Sequence, residues 1–179
     1  METTCVAEKD LTAELDKAIL EIQHLAFPKT MEFVSQRWWH SPAAPEDLWF
    51  VCLQDGRLIG SVRLIHRRIQ TPAGGLLAGG IANVCSHPQA RGHGAASACM
   101  RASQQYMAKG ADFGLLFCGQ KVHEFYRKLG WQDVQNELSL TYLDGRQGKK
   151  QEGHIMIYLG RRAVADWPAG EIDINGPDW

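Results

Sequence analysis

Gln89-Ala90-Arg91-Gly92-His93-Gly94 carries residue types suited to holding a pyrophosphate. The stretch follows an apolar run and opens into a helical pattern at Ala95. The first amides of a helix have no intrahelical acceptor, and the helix dipole favours negative charge beside them. Gly92 and Gly94 let the backbone approach a phosphate closely and take a positive φ. Arg91 adds a planar cationic fork. A Gly-x-Gly run alone is a weak signal, because an empty strand-to-helix turn has the same composition. Ser97 stands where a dinucleotide fingerprint needs its third glycine, and no Gly-Lys-Ser/Thr follows, so the loop is neither a Rossmann site nor a P-loop.

The C-terminal stretch offers a second kind of chemistry. From Ala163 to Trp179 there is no Lys, Arg or His, while Asp166, Glu171, Asp173 and Asp178 are present, with the terminal carboxylate after them. Charge runs are usually solvated. This one also holds Trp167, Ile172, Ile174 and Trp179, which is not the composition of a disordered tail. Carboxylates match ammonium groups and Trp faces pack on sugar rings, so the tail suits a polycationic aminated sugar. Trp38 and Trp39, beside His40 and a Pro-rich loop, are candidates for a second aromatic wall, whereas Trp49 reads as core.

Elements that position these residues follow from periodicity. Leu11, Leu15, Ile19, Ile22 and Leu25 recur at helical spacing, with Asp10 as candidate N-cap and Pro28 as the break. A short helix is expected from about Met31 to Trp38, then a loop at Ser41–Pro45. Leu48–Leu53 reads as a buried strand, Asp55-Gly56 as a hairpin turn, and Leu58–Ile69 as the return strand with Gly60 a bulge candidate. After a turn at Thr71–Gly75, Leu76–Cys85 forms a third strand. A helix over Ala95–Lys109 ends at Gly110, a strand follows at Phe113–Cys118, and a helix over Lys121–Leu129 ends at Gly130. Trp131–Tyr142 and Gly153–Leu159 read as strands joined by the turn Asp144–Gly148. The expected class is α/β (α+β), with a mixed, mostly antiparallel central sheet and helices on both faces.

Composition excludes several classes. A chain of 179 residues, 45% hydrophobic, suits one domain with a full core. A net charge of −1 argues against nucleic-acid binding, and no apolar run is long enough to span a membrane. The N-terminus lacks a signal-peptide pattern. Cys5, Cys52, Cys85, Cys99 and Cys118 are odd in number and contain no Cys-x-x-Cys, which reads as free thiols in a reducing cytoplasm and argues against zinc. The histidines are scattered, and no metal is expected.

Phe125-Tyr126-Arg127-Lys128-Leu129-Gly130-Trp131 follows the Gly loop by about thirty residues. Taken alone, Tyr126 reads as a residue of an amphipathic helix near the core. With both motifs in order, the chain resembles the GCN5-related N-acetyltransferase (GNAT) superfamily over about Trp49–Leu159. Gly119-Gln120-Lys121, Leu129-Gly130-Trp131 and the final Asp178-Trp179 look like the aminoglycoside 2′-N-acetyltransferases, including a divergent branch acting on kasugamycin. Asp166–Gly170 with Ile174–Pro177 is similar to the tail of nodulation N-acyltransferases. The resemblance implies a GNAT fold and one N-acetyltransferase domain over 1–179. It also implies direct transfer from acetyl-CoA to an amine in a ternary complex. The pyrophosphate would sit on Gln89, Ala90, Arg91, Gly92, His93, Gly94 and Ala95, and pantetheine would pair with backbone near Val84 and Cys85. Tyr126 would protonate or hydrogen-bond the departing thiolate. Trp38, Trp39, Asp173, Asp178 and Trp179 are the candidate substrate contacts. The expected acceptor is a small-molecule amine of an aminoglycoside, with antibiotic resistance as the result and a homodimer left open.

The chemistry sets conditions. An attacking amine must lose its proton, and a sugar amine lies nearer the α-amino value of about 8 than the Lys value of about 10.4. A Cys-like thiolate at about 8.5 cannot take a proton from an unperturbed Tyr at about 10 without a cost of roughly 2 kcal/mol. Tyr126 must therefore have a lowered pKa or act mainly as a hydrogen-bond donor. The resembling 2′ and nodulation enzymes carry a Glu on the strand before the Gly loop, where this chain has Gly79 to Ile81. That leaves Glu124, His123 and the terminal carboxylate of Trp179 as base candidates. Cys118, in an apolar strand, reads as an inert thiol rather than a nucleophile. The alternatives are an N-acyltransferase of another amine (an amino sugar, a polyamine or a protein N-terminus) and a non-catalytic acyl-CoA sensor.

Overall fold

A computed structural model describes residues 1–31, 41–150 and 153–179. The helix expected from about Met31 to Trp38 lies, past Met31, outside the described residues, as do Trp38 and Trp39. The chain divides into two compact units, residues 1–65 with 82–103, and residues 66–81 with 104–179. The long strands β3 (Arg57–Thr71) and β4 (Gly74–Ser86) run through both, as does helix α3 (Ala95–Gly110).

In the first unit, β1 (Glu2–Ala7) pairs antiparallel with β2 (Leu48–Gln54), and β2 pairs antiparallel with β3. The β1 strand was not expected, although Thr3-Thr4-Cys5-Val6 has the β-branched content for it. Asp55 and Gly56 both take positive φ, 51° and 73°, as a two-residue hairpin of the mirror-image turn type requires. The β2–β3 register slips between Cys52 and Leu53, leaving Ile59 unmatched beside Gly60. Gly60 has a packing reason of its own: a Cβ there would lie 3.0 Å from Ala95 Cβ. Helix α1 (Ala13–Ala26) is capped by Thr12, whose hydroxyl accepts from Leu15 N at 3.2 Å. Asp10, the expected cap, instead ends a 3-10 turn at Glu8–Asp10. A four-residue helix, α2 (Pro28–Met31), follows α1. Ile19 and Ile22 pack against Trp49, Val51, Leu58 and Cys85. Buried Arg63 pairs with buried Asp47 and donates to the carbonyls of Ser41 and Pro42 at 2.7 and 2.8 Å, which fixes the Ser41–Asp47 loop.

The second unit is built on β5 (Phe113–Cys118), β6 (Gln132–Val134), β7 (Leu138–Thr141), β8 (Gln147–Lys149), β9 (His154–Tyr158) and β10 (Ile172–Asp173), with helix α4 (Gln120–Lys128). Strand order is β6-β9-β5-β4-β3-β10-β7-β8. The β4–β5 and β10–β7 pairs are parallel, while β5–β9, β6–β9, β7–β8 and β10–β3 are antiparallel. This is the expected mixed, mostly antiparallel α/β arrangement. Trp131–Tyr142 is not one strand but two, because β6 pairs with β9 while β7 pairs with β8 and β10. The tail is part of the sheet. Ile172 and Ile174 are buried with Leu138, Leu140 and Ile69, and Asn136 holds the tail by accepting from Trp167 Nε1 and donating to the Pro168 and Gly170 carbonyls. No helix among the described residues is long and apolar enough to cross a membrane.

Candidate functional site

The Gly loop lies in the first unit. His87 N bonds the Ile59 carbonyl at 2.9 Å, and His87 Nδ1 accepts from Gln89 N at 3.3 Å, which sets the exit from β4. A 3-10 turn at Pro88–Ala90 follows. The first bond of α3 runs from Ala98 N to Gly94 O at 2.9 Å, so helix geometry leaves the amides of Ala95, Ala96 and Ser97 without intrahelical acceptors. Gly92 and Gly94 have φ of 80° and 88°, and a Cβ at either would touch nothing. Their requirement is conformational rather than one of space. Gln89, Arg91, Gly92, His93 and Gly94 are exposed, Ala90 is half-buried, and Ala95 is buried.

Ahead of the loop, Asn83 takes φ 53° inside β4. Sequence reasoning missed it. The signal was an Asn, a residue that tolerates this conformation, within an apolar strand run. Val84 is half-buried. The buried Cys85 thiol contacts Ser61 Oγ at 3.3 Å, and burial pushes it up to about 11. Within the second unit, the parallel β4–β5 ladder ends at Ile81 and Leu116.

Tyr126 lies on α4 in the second unit. Leu129 N and Trp131 N both bond its carbonyl, at 2.9 and 3.2 Å, and Gly130 takes φ 86° to turn the chain. Trp131 then packs on β5, where a Cβ on Gly114 would lie 2.9 Å from the indole. The side chain of Tyr126 is buried, and its pKa is raised by that burial and then by Cys118. Burial thus moves this hydroxyl away from the lowered value that full proton transfer would need. Cys118 is also buried, with its thiol pushed up to about 11 by burial and by the charge of Asp133, which fits the inert thiol expected there.

The tail contributes Trp179 to the same unit. Its indole takes the space over Gly80, where a Cβ would lie 2.5 Å from Cε2. Arg67 stands 4.8 Å from the indole centroid, Phe117 packs at 5.4 Å, and the buried indole N–H has no hydrogen-bond partner among the described residues. Asp178 pairs with Lys150, and Asp173 Oδ1 accepts from Asn175 N at 2.8 Å. Asp178 and Glu171 thus meet lysines from elsewhere in the chain, while Asp173 meets an amide of the tail itself. Of the base candidates, Glu124 is an exposed partner of Arg127, and His123 is bound to Asp133.

A family model described as acetyltransferase (GNAT) domain matches residues 9–134. The chain belongs to this family. It is an acetyl-CoA-dependent N-acetyltransferase, and GNAT enzymes of this kind act on small-molecule acceptors. Solved structures agree on the fold of the GNAT chain. An acyl-CoA N-acyltransferase from Pseudomonas aeruginosa is 20% identical with a TM-score of 0.61, covering 90% of this chain and 99% of its own. ElaA from Escherichia coli is 13% identical at a TM-score of 0.62, covering 87% and 97%. An acetyltransferase from Trypanosoma brucei is 21% identical at 0.53, covering 75% and 95%. No curated protein matches the chain.

Proposed function

We propose that this N-acetyltransferase acetylates a 2′-type amine of an aminoglycoside, with kasugamycin as the acceptor, and so gives resistance. The observation that carries this reading is the placement of Trp179. Its indole covers Gly80, within the Gly79 to Ile81 stretch where the resembling enzymes carry a glutamate, and so sets an aromatic ring beside the place of that carboxylate. Arg67 and Lys150 bring two positive charges to a tail that has none of its own. That favours an acceptor with few cationic groups over a polycation.

In this reading Gln89 to Ala95 hold the pyrophosphate, and the backbone of Val84 and Cys85 pairs with pantetheine. Tyr126 donates a hydrogen bond to the sulfur as the carbon–sulfur bond breaks. The neutral amine attacks the thioester carbonyl, the carbon–sulfur bond breaks as the amide forms, and the proton lost from nitrogen passes by way of solvent to the departing thiolate, giving CoA-SH. Asp173, Asp178 and Trp179 contact the acceptor. Positioning of the two substrates supplies most of the rate, up to roughly 7–11 kcal/mol.

Thiol release from acetyl-CoA, measured against kasugamycin, gentamicin, tobramycin and a polyamine, tests the acceptor. Release with kasugamycin and not with the polycations is expected. Release with the polyamine alone would replace the amino-sugar reading.

A further inference from the structure

Three side chains that the sequence leaves far apart converge in the second unit. His123 comes from α4, Asp133 from β6 and His154 from the first position of β9. His123 Nε2 lies 2.7 Å from Asp133 Oδ1, and His154 Nδ1 lies 3.4 Å from the same oxygen. The two imidazoles stack with centroids 3.9 Å apart. One ligand atom from each residue lies within 4.8 Å of the others.

Gln120 meets the other nitrogen of His154. Its Oε1 lies 2.8 Å from His154 Nε2. An amide oxygen only accepts, so Nε2 carries a proton, and in that tautomer Nδ1 presents a lone pair. That lone pair faces a carboxylate oxygen, another acceptor. The two atoms attract through a shared cation, either a proton on Nδ1 or a metal ion that both hold. A carbonyl fixing the far nitrogen of a ligating imidazole is also the usual outer shell of a metal site.

We propose that His123, Asp133 and His154 bind a divalent transition-metal ion of the zinc class. Metal–ligand bonds of about 2.0–2.2 Å at tetrahedral angles put ligand atoms roughly 3.3–3.5 Å apart. The His154–Asp133 separation already has that value, while the His123–Asp133 contact must widen and the stacked rings must turn apart for both lone pairs to meet one ion. Two imidazoles and one carboxylate suit zinc rather than calcium or magnesium, which take oxygen ligands. Three protein ligands leave a fourth place for water. A cavity of about 260 Å³ lined by Asp133, Asn136, Gly153 and His154 gives access to it. The ion joins α4 to β6 and β9 and so steadies the helix that carries Tyr126. This proposal does not depend on the identity of the acceptor.

The test uses the full chain, stripped with a chelator and titrated with Co²⁺. One equivalent is expected to bind with visible d–d bands, without a thiolate charge-transfer band, and to be displaced by Zn²⁺. His123→Ala and His154→Ala, checked for fold by circular dichroism, should each weaken Zn²⁺ binding at least tenfold, and Gln120→Ala about tenfold. The unsubstituted chain already gives results that can overturn the proposal. Absent d–d bands would leave His154 holding only a proton, and a thiolate band would place the ion on a cysteine. Unchanged affinity in folded His123→Ala/His154→Ala would equally overturn it.

Discussion

The indole of Trp179 occupies the space that any side chain on Gly80 would need, with Cε2 2.5 Å from the position of a Cβ. The two residues are therefore coupled across ninety-nine positions of sequence. Any side chain at position 80 would displace the indole from this seat. Gly80→Ala should cost about 1–3 kcal/mol by overpacking. In a Trp179→Ala background the same change should be neutral or slightly stabilising, because Ala suits a strand better than Gly. Urea unfolding of the four chains measures the coupling, and an equal cost in both backgrounds would dissociate the pair.

Tyr126→Phe should lower turnover at least tenfold and leave acetyl-CoA affinity nearly unchanged. Burial raises the Tyr126 pKa, so the hydroxyl stays protonated beyond the ordinary tyrosine value of about 10. The pH–rate profile should show no falling limb from this residue below that value. A limb below pH 10 that vanishes in the Phe variant would contradict donation by a neutral hydroxyl.

In the Gly loop, Arg91→Ala should raise KM for acetyl-CoA about ten- to a hundredfold at nearly constant kcat, the loss of a charge-assisted contact of about 1.5–3 kcal/mol. Gly92→Ala should act through the backbone, since φ is 80° and no atom crowds the site. A cost of about 1–2 kcal/mol in stability is expected. Initial rates and urea midpoints separate the two effects.

The Arg63–Asp47 pair is buried at both ends, with each residue 1% exposed. Removing one partner leaves a buried charge, so Asp47→Ala should cost about 3–5 kcal/mol. Replacing both by apolar residues should cost less than either single change. Denaturant midpoints for the three variants give the comparison.

Burial holds the Cys85 thiol protonated to about 11, against about 8.5 for an unfolded cysteine. The folded state therefore keeps this proton when the unfolded state has lost it. Stability from this group is complete below about pH 8.5 and is lost as pH rises toward 11, by roughly 3 kcal/mol. Cys85→Ser should flatten that part of the alkaline stability curve, and an unaltered slope would remove Cys85 as its source.

Local signals were the legible part of the sequence. Asp55-Gly56, the Gly92–Gly94 loop and the Leu129-Gly130-Trp131 turn each carry their conformation in a few adjacent residues. The strand at Glu2–Ala7 and the tail strand Ile172–Asp173 exist because partners far along the chain pair with them. Thr12 rather than Asp10 caps α1, because the turn at Glu8–Asp10 absorbs the acidic residue first. The tail read as anionic from composition, but Lys149, Lys150 and Arg67 come from other elements to meet it. His123 and His154 lie on different elements, and only the β5–β9 and β6–β9 pairings bring them to Asp133.

Mass spectrometry of kasugamycin incubated with acetyl-CoA and the purified protein tests the central claim most directly, with NMR to locate the new group. One acetyl group on a 2′-type amine, absent without the protein, is the predicted product. Unmodified kasugamycin beside an acetylated gentamicin or polyamine would contradict it.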